Sequence, residues 1–350
     1  MNKQPFFSII IPTYNRPEDL YRAIKSVLVQ DFKDYEIVVS DNSTNNLSKR
    51  MVDNYNDKRI RYLKNEINIG FTRNLYKAIK SANGEYIFML GDDDMILKKN
   101  TLLSLCKLIQ KSKVGLIRLK IIYHNNFKTL YSPYLTYKNN FDIKVGKSSI
   151  EIYHFLQSVA YTIISGLVFK NDKKISIPLI EKSRNPNLEM SDFWLKFIFP
   201  PVKKHGGYFL KDYFVVNTPV YRKVTTTELY SPQMGRFPAE NIWDLVFENL
   251  THEEQIKWVK EETEKMTLML PSIKYYSNRR DLIFYIKRML ELNSNLYINP
   301  LFYLSSFIAF FIPNFLWATI RKIIFRLSVI KERKIINYFD ELKYKFSLKD

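Results

Sequence analysis

The chain has 350 residues, and its 54 Lys and Arg residues outnumber its 35 Asp and Glu residues, which gives a formal net charge of +19. This length holds one large domain or a medium domain with an accessory part, and the 46% hydrophobic composition excludes a disordered chain. The single cysteine, Cys106, excludes a disulfide framework or a cysteine-based metal site within one chain, while the charge predicts an anionic partner: nucleic acid, a membrane or nucleotide phosphates.

Strand-like and helix-like segments alternate from residue 6 to about residue 120. A helix is predicted to begin at Pro17, because proline suits a first turn, and helical spacing continues the pattern over Arg73–Ala82 and Leu102–Ile109. Apolar runs predict strands at Phe7–Ile11, Glu36–Ser40, Ile60–Leu63, Tyr86–Leu90 and Val114–Leu119. This alternation predicts an α/β fold, with a mostly parallel central sheet flanked by helices.

Three polar loops follow predicted strands, at residues 12–16, 41–44 and 91–94, and the last of them contains the acid box, Asp92–Asp94. In a parallel sheet such loops meet at the carboxyl edge of the strands, where ligands bind. Three adjacent carboxylates are costly to bury unless a cation compensates them, and oxygen ligands suit Mg²⁺ or Mn²⁺, which in turn hold a diphosphate. A solvated acidic turn that caps the next helix is the alternative.

Four segments, in this order and at these spacings, resemble motifs of glycosyltransferase family 2, a group of sugar transferases with the GT-A fold. The resemblance covers about residues 6–220 and implies a Rossmann-like sheet that binds a nucleotide sugar. The segments are Pro12–Asn15, Val38–Thr44, Asn68–Asn74 and Leu90–Asp94.

The resemblance also implies roles for individual residues. Asp41 is expected to accept the imide N–H of a uracil base, and Arg73 to pair with a phosphate; a turn-forming Asp and a surface ion pair are the alternatives. The sequence departs from the family pattern at Ser40 and Gly91, where an acid is usual. The implied nucleotide-sugar contacts are Pro12, Thr13, Tyr14, Asn15, Asp41, Arg73, Asp92 and Asp93, and the implied Mn²⁺ or Mg²⁺ ligands are Asp94 and Asp92.

An inverting sugar transferase needs a base to deprotonate the acceptor hydroxyl. In the family this base is the Asp of a Glu-Asp pair before a helix that carries Trp and Arg. Asp192 is the predicted base here, with Ser191 in place of the Glu. Glu189 is the rival, because alignment on Trp194 shifts the register, and a helix-capping role is the alternative for Asp192.

The second half of the predicted transferase domain contains weaker strand patterns, at Thr162–Phe169 and Gly207–Tyr213, and a helix over Asp192–Phe199 that should end at Pro200-Pro201. Gly166 is expected to allow close approach of a sugar or to form a plain bulge. Trp194 and His205 are further acceptor-side residues, His205 being a group that would approach the diphosphate. The predicted domain spans 1–222, with a nucleotide-sugar half at 1–120 and an acceptor half at 121–222.

A loop with amphipathic helices is predicted at 223–296, and a hydrophobic and basic segment at 297–350. Leu301–Ile320 carries no charge and is broken at Pro313, and basic residues follow it. A true membrane span, a buried helix pair and an interfacial hairpin are the three alternatives. We expect an interfacial hairpin bent at Pro313, with its basic residues on anionic headgroups.

Together these patterns predict an inverting, metal-dependent transferase that moves a hexose or N-acetylhexosamine from a UDP-sugar to a lipid-linked, polyprenyl-diphosphate oligosaccharide. The N-terminal apolar run is too short for a signal peptide, so we expect the protein at the cytoplasmic face of the inner membrane. A dTDP- or GDP-sugar donor, or a catalytically silent membrane-bound assembly factor, is the alternative. No nucleic-acid partner is expected, because no recognition motif accompanies the charge.

Overall fold

The computed structural model describes residues 4–125, 129–131, 141–159, 164–181, 193–217, 246–247, 250–267, 270–271, 279–313 and 316. These residues belong to two compact units, the first within 4–217 and the second within 246–316. The predicted catalytic residues Glu189 and Asp192 lie outside the described residues.

The first unit alternates strands and helices. Its strands are β1 (Phe7–Thr13), β2 (Tyr35–Asp41), β3 (Ile60–Lys64), β4 (Tyr86–Met89), β5 (Asp94–Ile96), β6 (Leu116–Asn125), β7 (Thr129–Tyr131), β8 (Phe141–Ile143), β9 (Leu167–Lys170) and β10 (Gly207–Asn217). Its helices are α1 (Pro17–Leu28), α2 (Leu47–Asp53), α3 (Phe71–Ser81), α4 (Thr101–Ser112), α5 (Ser149–Val159), α6 (Lys173–Glu181) and α7 (Leu195–His205).

One mixed sheet organises this unit, in the order β3-β2-β1-β4-β9-β6-β10-β5. The first four strands of that order are parallel to one another, β9 is antiparallel to both of its neighbours, and β6 and β10 are parallel. β7 pairs with β6 and β8 pairs with β10. The predicted α/β fold is confirmed.

Helices cover both faces of the parallel part of the sheet. Every residue of β1 and β2 is buried, as expected for central strands with helices on two sides. On one face Ile9, Ile37 and Phe88 join a hydrophobic core with apolar residues of α1 and α4. On the other face α3 packs on β1 and β2. The loops after these strands therefore stand on a rigid base.

The predicted end of a helix at Pro200-Pro201 is wrong, because α7 continues through both prolines to His205. Proline removes a backbone donor and normally breaks a helix. Here the buried residues Phe197 and Val202 hold the helix in the core on both sides of the prolines, and Gly206 ends it at φ 73°. Tertiary burial therefore outweighs the local cost.

The second unit is helical. It contains α8 (His252–Thr267), α9 (Arg279–Leu292), a short 3-10 helix (Ser294–Ile298) and α10 (Pro300–Phe311). Asn299 caps α10, its side-chain oxygen accepting the Leu301 N–H at 2.9 Å. Among the described residues, we find no helix with the length and hydropathy of a membrane span.

Helix α10 ends before Pro313, and it carries no charged residue. Phe302 and Ala309 are buried within the second unit. Other apolar side chains of α10 are more than half exposed: Leu301, Tyr303, Leu304, Phe307 and Phe311. Most of the predicted hairpin beyond Pro313 lies outside the described residues.

Candidate functional site

The predicted polar loops do meet at one edge of the sheet. β1 lies between β2 and β4, parallel to both, and Thr13 pairs in register with Asp41. The Asn42 N–H donates to the Thr13 carbonyl at 3.0 Å, and the Leu90 N–H donates to the Ile10 carbonyl at 3.1 Å. The carboxyl ends of these strands therefore bring the acid box and the two other loops together.

The acid box contacts the loop after β1 directly. Asp92 accepts a hydrogen bond from Thr13 Oγ1 at 2.7 Å. Arg16 Nη1 lies 3.2 Å from Asp92 Oδ1 and 3.3 Å from Asp93 Oδ2, so one guanidinium bridges two carboxylates. Arg16 was not among the predicted site residues, although it is the basic residue at the end of a predicted site loop.

Asp92 and Asp94 are buried and Asp93 is partly exposed, and the closeness of Asp92 to Asp93 perturbs their protonation. Burial raises the pKa of Asp92 to about 7, with a further rise from the charge of Asp93 and a partial offset from Arg16 and Thr13. Burial also raises the pKa of Asp93. For Arg16, burial alone would lower the pKa, but the charges of Asp92 and Asp93 outweigh it and the pKa is raised. Positive charge near the acid box therefore stabilises the ionised form of its carboxylates.

The third acid, Asp94, is held by the turn before β9. Ser165 donates its hydroxyl proton to Asp94 and accepts the Gly91 N–H at 2.7 Å. Arg118, a fully buried residue of β6, donates to the Ser165 carbonyl at 2.8 Å. Ser165 thus positions Asp94. Arg118 was not among the predicted site residues, although a charged residue inside an apolar strand is a signal that could have identified it.

The residues of the box fit a hard divalent cation. A Cβ added to Gly91 would lie 2.9 Å from Asp94 Oδ2 and 3.0 Å from Asp93 Oδ1, so oxygen atoms of two carboxylates approach one point. Carboxylate oxygens are the ligands that Mg²⁺ and Mn²⁺ prefer. Within the described residues, no three acidic, His or Cys side chains form a complete metal cluster. Water or the diphosphate of a donor could supply further ligands to a metal held by the box.

The second loop begins with Asp41, whose carboxylate is fully buried and already hydrogen-bonded. Its Oδ1 accepts the Ser43 N–H at 2.6 Å, and its Oδ2 accepts from the Tyr62 hydroxyl and from Lys64 Nζ at 3.2 Å. Burial, with this hydrogen bond to Asp41, raises the pKa of Tyr62, so the phenol stays a donor. A nucleotide base could form a hydrogen bond with Asp41 only if the side chain of Tyr62 or Lys64 moved away from the carboxylate.

Asn15 ties the first loop to the second. It adopts a left-handed backbone conformation with φ 53°, which asparagine tolerates better than most residues. Its N–H donates to Ser43 Oγ at 2.8 Å, and its Oδ1 accepts the Thr44 N–H at 3.1 Å. Next to it, Tyr14 is 44% exposed and available to stack on a ligand.

The two residues of the predicted Arg-Asn motif, Arg73 and Asn74, lie in different environments. Arg73 is exposed on the first turn of α3. Asn74 is buried: its Oδ1 accepts from Ser40 Oγ at 2.7 Å and from Asn65 Nδ2 at 2.8 Å. Ser40, which replaces an acid of the family pattern, therefore anchors α3 to β2.

Two predicted acceptor-side residues are packed in the fold. Gly166 has φ 77°, and an added Cβ would lie 3.2 Å from the Leu119 Cβ, so packing fills the space beside it. Trp194 is only 5% exposed and packs edge-on against Phe193. Trp194 therefore belongs to the core rather than to an acceptor surface, because the turn before α7 faces inward.

The prediction that His205 approaches the diphosphate is wrong. His205 ends α7, and after Gly206 the chain enters β10, whose first residue pairs with Leu116 at the start of β6. Burial and the nearby charges of Lys170 and Lys204 lower the pKa of His205. Since α7 leads into β10 at its amino end, His205 sits at the edge of the sheet opposite the acid box.

The sequence of this chain is similar to a known protein family and to several known proteins. Residues 8–163 match the sequence profile of Glycosyl transferase family 2. The GalNAc(5)-diNAcBac-PP-undecaprenol beta-1,3-glucosyltransferase of Campylobacter jejuni is 40% identical over 114 residues, which are 32% of this chain and 36% of that protein. The UDP-Glc:alpha-D-GlcNAc-diphosphoundecaprenol beta-1,3-glucosyltransferase WfgD of Escherichia coli is 27% identical over 133 residues, 38% of this chain and 47% of that protein.

The crystal structure of S. aureus TarS 1-349 in complex with UDP-GlcNAc is similar in fold, with a TM-score of 0.60 and 18% identity over 87% of this chain and 88% of that one. The curated relatives, by contrast, are matched over less than half of their own lengths. The sequence profile therefore identifies residues 8–163 as a glycosyltransferase family 2 domain, and the similarity to TarS concerns the fold alone.

Proposed function

We propose that this protein transfers a hexose or N-acetylhexosamine from a UDP-sugar to a hydroxyl of a lipid-linked, polyprenyl-diphosphate oligosaccharide, with inversion at the sugar. The observation that carries the proposal is the acid box at the carboxyl edge of β4, in contact with Thr13 and Arg16. Support for the lipid-linked acceptor comes from two relatives, both named for transfer to undecaprenol-linked sugars. The product would serve surface-glycan or glycoprotein synthesis.

Donor binding is assigned to the carboxyl edge. Asp94 and Asp92 would hold Mn²⁺ or Mg²⁺, which when bound would neutralise charge on the departing nucleoside diphosphate. Asp93 would contact the ribose or sugar. Tyr14 would stack on the base, since its ring is exposed beside Asn15. The remaining proposed nucleotide contacts are Pro12, Thr13, Asn15, Asp41 and Arg73, the last by pairing with a phosphate.

In the proposed reaction the acceptor oxygen attacks the anomeric carbon from the side opposite the diphosphate. The bond between that carbon and the diphosphate oxygen breaks, and its electron pair leaves with UDP. Asp192 takes the proton of the acceptor hydroxyl, with Glu189 as the rival base. Asp192→Asn should abolish turnover while UDP binding persists. Loss of turnover only in Glu189→Gln would transfer the role to Glu189, and full activity in both variants would contradict a base in this segment.

The donor is tested with full-length protein, Mn²⁺ or Mg²⁺, a panel of UDP-, dTDP- and GDP-sugars, and a polyprenyl-diphosphate oligosaccharide as acceptor. Release of UDP from one UDP-sugar, abolished by EDTA and restored by added metal, is the expected result. Turnover with only a dTDP- or GDP-sugar would replace the proposed donor. Absence of nucleotide binding under all conditions would contradict the enzyme and favour a silent assembly factor.

We also propose that the second unit attaches the protein to the cytoplasmic face of the inner membrane. The exposed aromatic and aliphatic side chains of α10 suit the acyl boundary, and the basic stretch 321–349 suits anionic headgroups. Phe307→Glu should weaken co-sedimentation with vesicles that contain an anionic lipid. Ile67→Glu, an exposed apolar residue of the first unit, is the matched control. Equal sedimentation of both variants would contradict attachment through α10.

A further inference from the structure

Arg16 gives the acid box a counter-ion of its own. Its guanidinium lies within ion-pair distance of Asp92 and Asp93, while Asp94 is hydrogen-bonded to Ser165. The Arg16 side chain is 27% exposed, so it borders solvent on one side and the buried carboxylates on the other. The Arg16 guanidinium therefore already occupies part of the space beside the carboxylates in which a divalent ion would bind.

The backbone of Arg16 is fixed, whereas its guanidinium is at the end of a long side chain. Pro17 begins α1 immediately after it, and the Arg16 carbonyl accepts the Leu20 N–H at 3.0 Å. On the other side, the hydrogen bond between the Asn15 N–H and Ser43 holds the loop. Rotation about the side-chain bonds can thus move the charge without moving the loop.

We propose that Arg16 is an exchangeable counter-ion, which neutralises the acid box in the free protein and passes to the diphosphate when the donor binds. This inference rests on the proposed donor function. A guanidinium and a divalent ion compete for the same carboxylate oxygens, and a diphosphate competes with those oxygens for the guanidinium. Guanidinium groups suit phosphate as well as carboxylate. Nucleotide and metal therefore strengthen each other's binding through Arg16, beyond their direct contact with each other.

The experiment measures Mn²⁺ binding to the full chain by electron paramagnetic resonance, with and without UDP. Arg16→Gln removes the competing charge, so Mn²⁺ affinity without nucleotide should rise about tenfold, and the gain from adding UDP should shrink by a similar factor. Arg59→Gln is the matched control, because Arg59 loses the same charge and is exposed to a similar degree, but it pairs with Asp57 just before the amino end of β3. The control should keep wild-type values in both states.

Three outcomes overturn the inference. Equal nucleotide-free Mn²⁺ affinity in the Arg16→Gln and Arg59→Gln variants would show that Arg16 does not compete with metal. A lower affinity in Arg16→Gln would show that Arg16 shapes the box instead. Failure of the wild-type protein to bind Mn²⁺ even with UDP would overturn the proposed metal-dependent function and the inference with it.

If Arg16→Gln unfolds, Arg16→Lys carries the test. A lysine ammonium lacks the planar fork of arginine and bridges two carboxylates less well. Arg16→Lys should therefore raise nucleotide-free Mn²⁺ affinity by a smaller factor, about threefold. An unchanged affinity in this folded variant would overturn the inference.

Discussion

Strand β2 carries a buried acid at each end, and we propose that only the acid at the carboxyl end binds a ligand. Glu36, near the amino end, pairs with Arg61 at 2.7 Å, and Asp41, at the carboxyl end, pairs with Lys64 at 3.2 Å. Both cations come from β3. Glu36 also receives hydrogen bonds from Ser8 and from the Asn83 N–H, all within the scaffold. Asp41 instead lies beside the loops that contain Thr13 and Asn15.

Burial and an ion pair are common to both acids, so these two properties do not distinguish a ligand-binding acid from a structural one. Position on the sheet distinguishes the two, since ligands bind beyond the carboxyl ends of parallel strands. Substitutions at the carboxyl edge should therefore change ligand binding or turnover, whereas substitutions at the amino edge should change stability alone. The predictions that follow test this division, beginning with the largest expected effect.

Asp94→Asn should lower turnover about a thousandfold, because the variant keeps the size of the side chain but loses the charge that would hold the metal at the diphosphate. The measurement is initial rate against Mn²⁺ concentration. Asp53→Asn is the control, since Asp53 is an exposed acid of α2 that pairs with Lys49. Wild-type turnover in Asp94→Asn would remove the acid box from the catalytic site.

Asp41→Asn should weaken UDP binding tenfold to a hundredfold, which is about the value of one or two hydrogen bonds to a charged group. Titration calorimetry with UDP measures the change. Tyr62→Phe is the informative companion, because it removes the hydroxyl that covers Asp41 Oδ2 and keeps the ring. If Asp41 binds the base, Tyr62→Phe should bind UDP at least as tightly as the wild type. Unchanged UDP affinity in Asp41→Asn would place Asp41 with Glu36 as a scaffold residue.

Glu36→Gln should lower the free energy of unfolding by about 1–3 kcal/mol at neutral pH and leave UDP affinity unchanged. Burial alone would raise the pKa of Glu36, but hydrogen bonds from Ser8, Arg61 and Asn83 outweigh it and lower the pKa below the usual 4.5. A lowered folded-state pKa gives stability that is fully present above pH 4.5 and is lost as the pH falls through the folded value. The difference in the free energy of unfolding between wild type and variant, measured by urea unfolding, should therefore become smaller below that pH. A difference that stays constant with pH would contradict the ionic contribution of Glu36.

Ser165→Ala should raise the Mn²⁺ concentration needed for half-maximal turnover by about threefold to tenfold. The variant loses the hydroxyl that joins Asp94 to the Gly91 N–H, and a freer carboxylate pays more entropy on binding a metal. Turnover at saturating metal should remain close to the wild-type value. Ser112→Ala, an exposed serine at the end of α4, is the control. A loss of turnover that added metal does not restore would show that Ser165 does more than position Asp94.

Much of the first unit follows from the sequence. Continuous apolar runs such as Phe7–Ile11 predict central parallel strands, and the loops after them must meet at one edge. The sequence could not show which charges pair across that edge. The contact of Arg16 with Asp92 depends on the left-handed turn at Asn15. The hydrogen bonds that cover the Asp41 carboxylate depend on β3, a short strand with partly exposed residues.

The sequence-based predictions were wrong where tertiary packing outweighed a local sequence rule. Proline ends isolated helices, yet buried neighbours carry α7 through Pro200 and Pro201. His205 precedes Gly206 and Gly207 in the sequence, but α7 ends at the edge of the sheet opposite the acid box, and His205 lies there. Trp194 belongs to the core for a similar reason: the sequence shows an aromatic residue beside the predicted base, and only the fold shows that it points inward.

The hydrogen bonds between Asn15 and the Ser43–Thr44 loop have a thermodynamic consequence. Two of the three loops at the carboxyl edge are joined to each other within the folded chain, so their ordering is complete before any ligand arrives. The conformational entropy that a mobile loop would lose on association is therefore largely absent for this part of the site. Small fragments of a donor, such as a nucleoside alone, should bind there with a favourable free energy per atom.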